Sequence, residues 1–362
     1  MSFASQLGRS LTGRWLNVLL IAAPLSWVAQ RWESQMVVFA LAAISLVPAA
    51  ALIGTATEEL SRRSGPTLGG LLNATFGNAA ELIIGIAALE ANHVEVVKAS
   101  LTGSLIGNLL LVFGGSCFVG GLKHGQQRFN RTAASSATTM LTLAVAALIM
   151  PAVVDLFAFG SLQAKPEMIH TLSAWTSVIL LFVYAAGLVF SFTTNRDPLR
   201  PTHEAGHSHM TVPAAVTLLA IATVLTAIEA EILVSALGPA MQRLGMTELF
   251  AGVIVIALVG NAAEHYSAIT AATDNQMTLA LEISIGSSAQ IALMVAPALV
   301  LVGALIGHPM SLVFNAFELT AIGVSVGIVA LVAIDGESNW LEGLQLLGVY
   351  LILGTAFYLI PA

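Results

Sequence analysis

The pentapeptide GNAAE occurs twice in this sequence, as Gly77–Glu81 and again as Gly260–Glu264. Each copy lies inside a long apolar stretch of the kind that spans a bilayer. An acidic side chain at the centre of a membrane span costs roughly 2.5–3.5 kcal/mol on insertion scales, so such a residue indicates a functional site. Because the same residues surround both acids, we interpret the two copies as products of a duplication that built a paired site.

The duplication extends beyond the pentapeptide. The spacing between the two copies also separates Gly103 from Gly286. A slightly longer spacing separates Asn130 from Asn315, each of which follows a phenylalanine. Small insertions between matching blocks are expected where loops change length while a site is kept, so we interpret the chain as an internal repeat.

The composition excludes an ordinary soluble protein. Of the 362 residues, 57% are hydrophobic and only 9% are charged, against about 25% charged residues in an average globular domain. So few charges cannot cover a water-facing surface, and we expect the lipid bilayer to surround the chain. The net charge of −7 argues against a nucleic acid as partner. The single cysteine, Cys117, excludes a disulfide framework within one chain.

We predict an all-α polytopic membrane protein with about eleven spans, because each span needs about 20 apolar residues. The predicted spans are residues 14–30, 35–59, 66–89, 95–121, 133–158, 168–192, 212–236, 247–272, 277–305, 311–333 and 340–360. We interpret the first as a retained helix rather than a cleaved signal. The predicted domains are an extra N-terminal helix (1–33), a first five-span repeat (34–192), a polar cytoplasmic linker (193–211) and a second five-span repeat (212–362).

The basic residues predict the orientation. Alternate loops hold nine Lys and Arg residues on one side and four on the other, and the richer side faces the cytoplasm. The N-terminus is then cytoplasmic and the C-terminus outside, and the short N-terminus suggests a prokaryotic plasma membrane. Because each repeat has an odd number of spans, the second is inverted relative to the first. Inverted repeats with a site at the midplane are typical of secondary transporters.

Each pentapeptide places an amide and an acid on one helical face, because positions three apart are neighbours on a helix. The pairs are Asn78 with Glu81 and Asn261 with Glu264. The glycine before each asparagine weakens the helix, and a break there frees backbone carbonyl groups as ligands. Small polar residues recur in the next span of each repeat, which tight helix packing alone would also explain. The candidate ligands there are Ser104, Asn108, Ser287 and Gln290.

These side chains offer only oxygen ligands, which suit hard cations such as Ca²⁺, Mn²⁺ and Mg²⁺. Ca²⁺ accepts about 6–8 oxygens in flexible geometry, whereas two acids would over-neutralise Na⁺. Buried carboxyl groups near a like charge favour their protonated form, so the same acids suit proton exchange. We hypothesise that Glu81 and Glu264 hold either one divalent cation or protons. Leaving both empty and charged in a dry interior is too costly, and this penalty couples the two fluxes.

The sequence resembles the CAX-type Ca²⁺/H⁺ antiporters, the cation/proton exchangers of the calcium:cation antiporter superfamily. The runs that carry the resemblance are LLNATFGNAAELI, ASLTGSLIGNLLLVFGGSCFVGGLKHGQQRFN, LVGNAAEH and ISIGSSAQIALMVAP. The resemblance implies an eleven-span fold, export of cytoplasmic Ca²⁺ in exchange for protons, and no cofactor. It also implies that Glu81 and Glu264 are the essential cation and proton ligands. A role in selectivity or coupling is implied for His265, with helix packing as the alternative.

Other ionisable residues lie outside the pentapeptides. Four acids near predicted span ends form either an access path for the cation or a solvated interface, namely Glu58, Glu59, Glu229 and Glu231. The linker carries His203, Glu204, His207 and His209, where the resembling family commonly has an acidic segment. We interpret the linker as a solvated loop. Because histidine titrates near physiological pH, pH sensing is one alternative and weak metal binding is another.

Several rival functions are weighed against this interpretation. A Na⁺/Ca²⁺-type exchanger shares the inverted-repeat plan, and its transport would depend on Na⁺ rather than on pH. An Mn²⁺-preferring exchanger would use the same ligands. An intramembrane metal-dependent enzyme is disfavoured because the sequence lacks a His-Glu-x-x-His motif. A passive channel would be slowed by acids that hold a divalent ion tightly. Glycine pairs such as Gly303 with Gly307 allow self-association into a homo-oligomer or packing within one chain.

Overall fold

The computed structural model of the chain describes residues 15–32, 34–160, 166–193 and 210–360, and these residues are almost entirely helical. A 3₁₀ segment (Trp15–Ile21) leads into helix α1 (Ala22–Ala29), and a second one (Gln30–Trp32) follows it. The next helices are α2 (Gln35–Phe76), α3 (Ala79–Glu90), α4 (Val94–Ile106), α5 (Phe113–His124), α6 (Arg131–Phe159) and α7 (Pro166–Thr193).

The later described part of the chain adds further long and short helices. Its helices are α8 (Val212–Leu244), α9 (Glu248–Phe250), α10 (Ala257–Gly260), α11 (Ala262–Thr273), α12 (Met277–Gln290), α13 (Ala296–Leu305), α14 (Ala316–Val332) and α15 (Trp340–Leu359). Three π-helical segments interrupt the α-helices, at Gly107–Val112, Ala251–Ile256 and Ile291–Val295. Two short strands, β1 (Gln127–Arg128) and β2 (Glu337–Ser338), pair antiparallel.

The described helices fit a multi-pass membrane protein. Seven are long and apolar enough to cross a bilayer, and the number is eight if the bent pair Glu248–Gly260 and Ala262–Thr273 is one span. Two shorter apolar helices cover Leu16–Ala29 and Ala316–Val332. The nearly all-helical architecture agrees with the predicted fold class, while the number of eleven spans and the inverted repeats stay predictions.

Helix α2 covers two predicted spans, residues 35–59 and the first part of 66–89. It is helical throughout, but it is not straight. The Ser61 hydroxyl donates a hydrogen bond to the Gly69 carbonyl oxygen at 2.8 Å, which shows that the two residues lie close together. Eight residues of straight helix would separate these groups by about 12 Å. An added Cβ at Gly69 would lie 2.5 Å from the Ser61 carbonyl oxygen. Glycine therefore permits a sharp bend between the two predicted spans.

The described residues form two compact units. The first comprises the described parts of Met1–Ala91, Thr202–Thr247 and Val259–Ala263, and the second those of Asn92–Pro201, Glu248–Leu258 and Glu264–Ala362. In the first unit α2 packs along α8, and small residues such as Ala56, Ala214 and Ala222 are fully buried between them. Small side chains let helix backbones approach closely. The predicted repeat boundaries concern sequence duplication rather than these units, and they stay a prediction.

Matching backbone features accompany the matching sequence blocks. Asn92 and Asn275, at the spacing of the two pentapeptides, have φ angles of 61° and 58°. Asparagine is among the residues that tolerate this left-handed region best. Asn130 and Asn315 each cap the helix that follows, with the side-chain oxygen accepting backbone N–H groups. The duplicated residues thus adopt the same local conformation in both copies.

Candidate ion-binding site

The first pentapeptide interrupts a helix, as its glycine predicts. Helix α2 ends at Phe76 and α3 begins at Ala79, with a turn at the two residues between them. Asn78 is 2% exposed. Glu81 lies in the first turn of α3, and both of its carboxylate oxygens are buried. Because a helix N-terminus carries a partial positive charge, the break places this acid where an anion is stabilised.

The second pentapeptide repeats the interruption. Helix α10 ends at Gly260 and α11 begins at Ala262, and the two helical arms differ in direction by 59°. Asn261, at the bend, is 1% exposed. Glu264 lies in the first turn of α11, and its Oε2 atom is buried without a hydrogen-bond partner among the described residues. Both acids therefore occupy the same place relative to a broken helix.

Within the first unit, the second pentapeptide lies against the acid of the first. An added Cβ at Gly260 would lie 3.7 Å from Cγ and 3.8 Å from Oε1 of Glu81. The missing side chain lets the backbone before Asn261 approach this carboxyl group. Three of the predicted site residues, Asn78, Glu81 and Asn261, thus belong to one unit, whereas Glu264 belongs to the other.

The second unit brings together polar residues from the two copies of the repeat. The Asn108 side-chain amide donates a hydrogen bond to the Ser287 hydroxyl at 3.1 Å, although the residues are far apart in sequence. Asn108 is fully buried, Ser104 is 4% exposed and Ser287 is 9% exposed. Gln290 is half-buried at the last position of α12. Sequence reasoning grouped these four residues, and the structure joins two of them directly.

Two of the π-helical segments coincide with this polar group. Asn108 lies in Gly107–Val112, and Gln290 directly precedes Ile291–Val295. Such π-turns are rare and often occur at functional sites. Sequence reasoning missed them, because a π-turn has no residue signature of its own. Their presence at matching positions of the two copies is the signal that the structure adds.

A close helix crossing supports the same region of the second unit. An added Cβ at Gly103, on α4, would overlap the Val253 carbonyl oxygen and would lie 2.6 Å from the Val253 Cα. An added Cβ at Gly252 would lie 2.5 Å from the Ala99 Cβ. The two glycines therefore allow the backbones of α4 and of the π-helical segment Ala251–Ile256 to come into contact. Gly103, at this contact, directly precedes Ser104.

The acids predicted near span ends have different surroundings. Glu58 pairs with Arg62 at 2.6 Å on the exposed side of α2, and the Glu59 carboxylate accepts the Met210 N–H at 3.1 Å. Glu231 is exposed. Glu229, by contrast, is fully buried in the middle of α8. Their helix continues to Leu244, beyond the predicted span end at 236, so the predicted positions of Glu229 and Glu231 near a span end need correction.

Two buried acids among the described residues, Asp155 and Glu318, were not anticipated. Glu318 is 2% exposed and forms a capping box with Asn315 at the start of α14. Its Oε1 atom also accepts the Thr102 hydroxyl at 3.1 Å. The sequence signal that could have found it is an asparagine followed three residues later by glutamate before an apolar run.

The remaining predicted residues are His265 and the residues of the polar linker. His265 is half-buried on α11, directly after Glu264. The linker residues lie outside the described residues, so their predicted role stays a prediction; they are His203, Glu204, His207 and His209.

Comparison with known proteins places this geometry in a family. The profile described as sodium/calcium exchanger protein matches residues 34–193 and 214–359. A protein named Ca²⁺/H⁺ antiporter from Aphanothece halophytica is 41% identical, over 95% of this chain and 96% of its own length. The Ca²⁺/H⁺ antiporter ChaA of Bacillus subtilis is 42% identical, over 94% of this chain and 98% of its own.

A solved structure shares the fold. The structure of native YfkE is 38% identical, covers 96% of this chain and 100% of its own, and superposes with a TM-score of 0.84. The profile match covers most of the chain, and the identities extend over nearly the whole length of the relatives. This chain therefore belongs to the sodium/calcium exchanger family and groups within it with proteins named Ca²⁺/H⁺ antiporters.

Proposed function

We propose that this protein is a secondary active transporter that exports Ca²⁺ from the cytosol in exchange for protons. The observation that carries the proposal is the pair of broken helices, each with an acid in the first turn after the break. The names of the relatives support the same ions. Glu81 and Glu264 are the shared ligands of cation and proton in this mechanism.

The ligand chemistry favours a hard divalent cation. Two carboxylates balance the charge of Ca²⁺, and the amides of Asn78 and Asn261 add neutral oxygens of the kind that Ca²⁺ accepts. The interrupted helices add backbone carbonyl groups that lack a helical partner. Ser104, Asn108, Ser287 and Gln290 complete the proposed polar surroundings.

The coupling follows from the cost of buried charge. Two ionised carboxylates without a cation repel each other and lose their hydration, and each effect favours proton uptake. The transporter therefore changes its access only when it holds Ca²⁺ or protons, because the empty, doubly charged site is too costly. Ca²⁺ leaves on one side as protons arrive, and the proton gradient drives the exchange.

The proposed architecture is two inverted five-span repeats after an extra N-terminal helix, working by alternating access. The count of basic residues supports a cytoplasmic N-terminus, an outer C-terminus and a prokaryotic plasma membrane. The bend of 59° at Asn261 supports discontinuous helices of the kind that form transporter sites.

The test is Ca²⁺ uptake into proteoliposomes after an imposed pH step. We expect rapid uptake with the unchanged protein, and its loss in Glu81→Gln and in Glu264→Gln. Glu90→Gln is the matched control, because Glu90 is an exposed acid at the far end of the helix that carries Glu81. Uptake that survives either site substitution would end the proposal.

The same vesicles separate the related functions. A Na⁺ gradient without a pH step should drive no Ca²⁺ movement, whereas a Na⁺/Ca²⁺-type exchanger would respond to it. Competition by Mn²⁺ against Ca²⁺ uptake then ranks the two divalent ions.

A further inference from the structure

Glu229 accepts hydrogen bonds at both of its carboxylate oxygens, and no ion pair joins it to a charged side chain among the described residues. It sits 17 residues into α8 and is fully buried. The mechanism above does not use it. We propose that Glu229, together with the side chains that surround it, forms a further proton-binding site, separate from Glu81 and Glu264.

Three side chains from two helices point their donor groups at this carboxyl group. The Trp27 indole N–H donates to Oε1 at 2.6 Å. The Ser45 hydroxyl lies 2.6 Å from Oε2, and the Ser26 hydroxyl lies 3.2 Å from Oε1 and 3.1 Å from Oε2. The Trp27 N–H occupies Oε1 and has no lone pair to offer a metal cation, so the ligand that fits this group is a proton.

The two serines can serve either protonation state without moving. The Ser26 hydroxyl also lies 2.7 Å from the Ala23 carbonyl oxygen, and the Ser45 hydroxyl lies 2.9 Å from the Ala42 carbonyl oxygen. Each hydroxyl has one proton and two acceptors within reach. It therefore donates to the carboxylate in one state and to its own helix in the other.

Proton uptake then proceeds with all groups satisfied. A proton from water binds one oxygen of Glu229, and the charge of the carboxylate is lost. With the proton on Oε2, the Ser45 hydroxyl turns to the Ala42 carbonyl oxygen and its own oxygen accepts the new O–H group. The Ser26 hydroxyl turns to the Ala23 carbonyl oxygen. The Trp27 N–H keeps its acceptor, because a protonated carboxyl group retains a carbonyl oxygen. No heavy atom has to move, and neither state leaves one of these donors or acceptors without a partner.

No charged side chain pairs with Glu229 in the described part of the chain. Helix α1 and the segment Trp15–Ile21 contain no titratable side chain. The charged residues on the remaining elements that pack near α8 are Arg31, Glu58, Glu59, Arg62, Arg63, Glu81, Glu90, Glu231 and Arg243. In the described part of the chain no ion pair joins Glu229 to any of them. The charge of Glu229 is thus balanced by hydrogen bonds alone, which a proton can replace.

Infrared difference spectroscopy on the purified full chain in lipid tests this proposal without transport. Acidification should produce the C=O stretching band of protonated carboxyl groups, and Glu229→Gln should remove one component of it. Glu90→Gln should retain that component. Trp27→Phe removes a hydrogen bond that is stronger to the charged form than to the neutral one, and it should shift the midpoint of the component upward by about 1 pH unit.

Two results would overturn the proposal. Identical pH-difference spectra for the unchanged chain and Glu229→Gln would mean that Glu229 does not change its protonation state over the tested pH range, so that it is not a proton-binding site. An unshifted midpoint in Trp27→Phe would mean that the donors do not control the titration. The second variant keeps the test decisive if Glu229→Gln fails to fold. Because the readout is a carboxyl band, either result is independent of whether Ca²⁺ is transported.

Discussion

Replacing Gly103 by alanine is expected to destabilise the second unit, whereas the same change at Gly286 is not. The two glycines occupy equivalent positions of the two sequence copies, but only Gly103 meets another backbone. Its added methyl group would overlap the Val253 carbonyl oxygen and lie 2.6 Å from the Val253 Cα, while no atom lies within 4 Å of an added Cβ at Gly286. The first variant therefore forces two backbones apart.

The comparison isolates the packing cost. Both glycines lie inside helices, so both variants gain the same helix propensity of about 1 kcal/mol. Overpacking a tight contact costs about 1–3 kcal/mol. The added Cβ at Gly103 would lie 2.6 Å from the Val253 Cα, about 0.8 Å closer than the ordinary contact distance of 3.4 Å. The neighbour is backbone, which cannot rotate away as a side chain can. We expect Gly103→Ala to be less stable than Gly286→Ala by about 2–3 kcal/mol, near the upper end of that range.

Thermal unfolding of both variants in the same detergent measures this difference. The midpoint of Gly103→Ala should fall below that of the unchanged chain, and that of Gly286→Ala should equal or exceed it. Equal midpoints for the two variants would refute the reasoning, because the backbone contact at Val253 would then carry no cost.

Three further outcomes are expected. Asn108→Ala and Ser287→Ala should each lower the unfolding midpoint, and their effects should couple by about 0.5–1.5 kcal/mol in a double-mutant cycle; purely additive effects would contradict the hydrogen bond. Asn315→Ala should cost about 1 kcal/mol, because it removes the cap of α14, and an unchanged midpoint in denaturant unfolding would contradict that cap. Gly260→Ala, which places a methyl group in ordinary contact with Glu81, should lower Ca²⁺ uptake in vesicles at unchanged stability; full uptake would show that this approach is dispensable.

The helix breaks were the most predictable part of the structure. Glycine weakens a helix, and asparagine competes for backbone hydrogen bonds in non-helical conformations. A break at each pentapeptide therefore follows from local chemistry, and the structure has one at Gly77 and another at Asn261. The sequence named Asn108 and Ser287 as candidate ligands from equivalent spans, but the hydrogen bond between them became visible only in the structure.

The surroundings of Glu229 could not be predicted. Its three donors come from residues that precede it by about 180–200 positions, and no local pattern connects them to α8. The length of α8 was also underestimated. Pro239 lies inside this helix, where a sequence pattern normally predicts an end, and membrane helices tolerate proline because neighbouring groups satisfy the freed carbonyl.

The π-helical segments have a consequence for how residues are assigned to faces. A π-turn accommodates one residue more than an α-turn, and one residue corresponds to about 100° of rotation. The side chains of α5 are therefore out of phase with those of α4, across Gly107–Val112. Deleting one residue within that segment would therefore restore a regular helix and leave α5, with Cys117 and its buried glycines, facing the surface it now packs against.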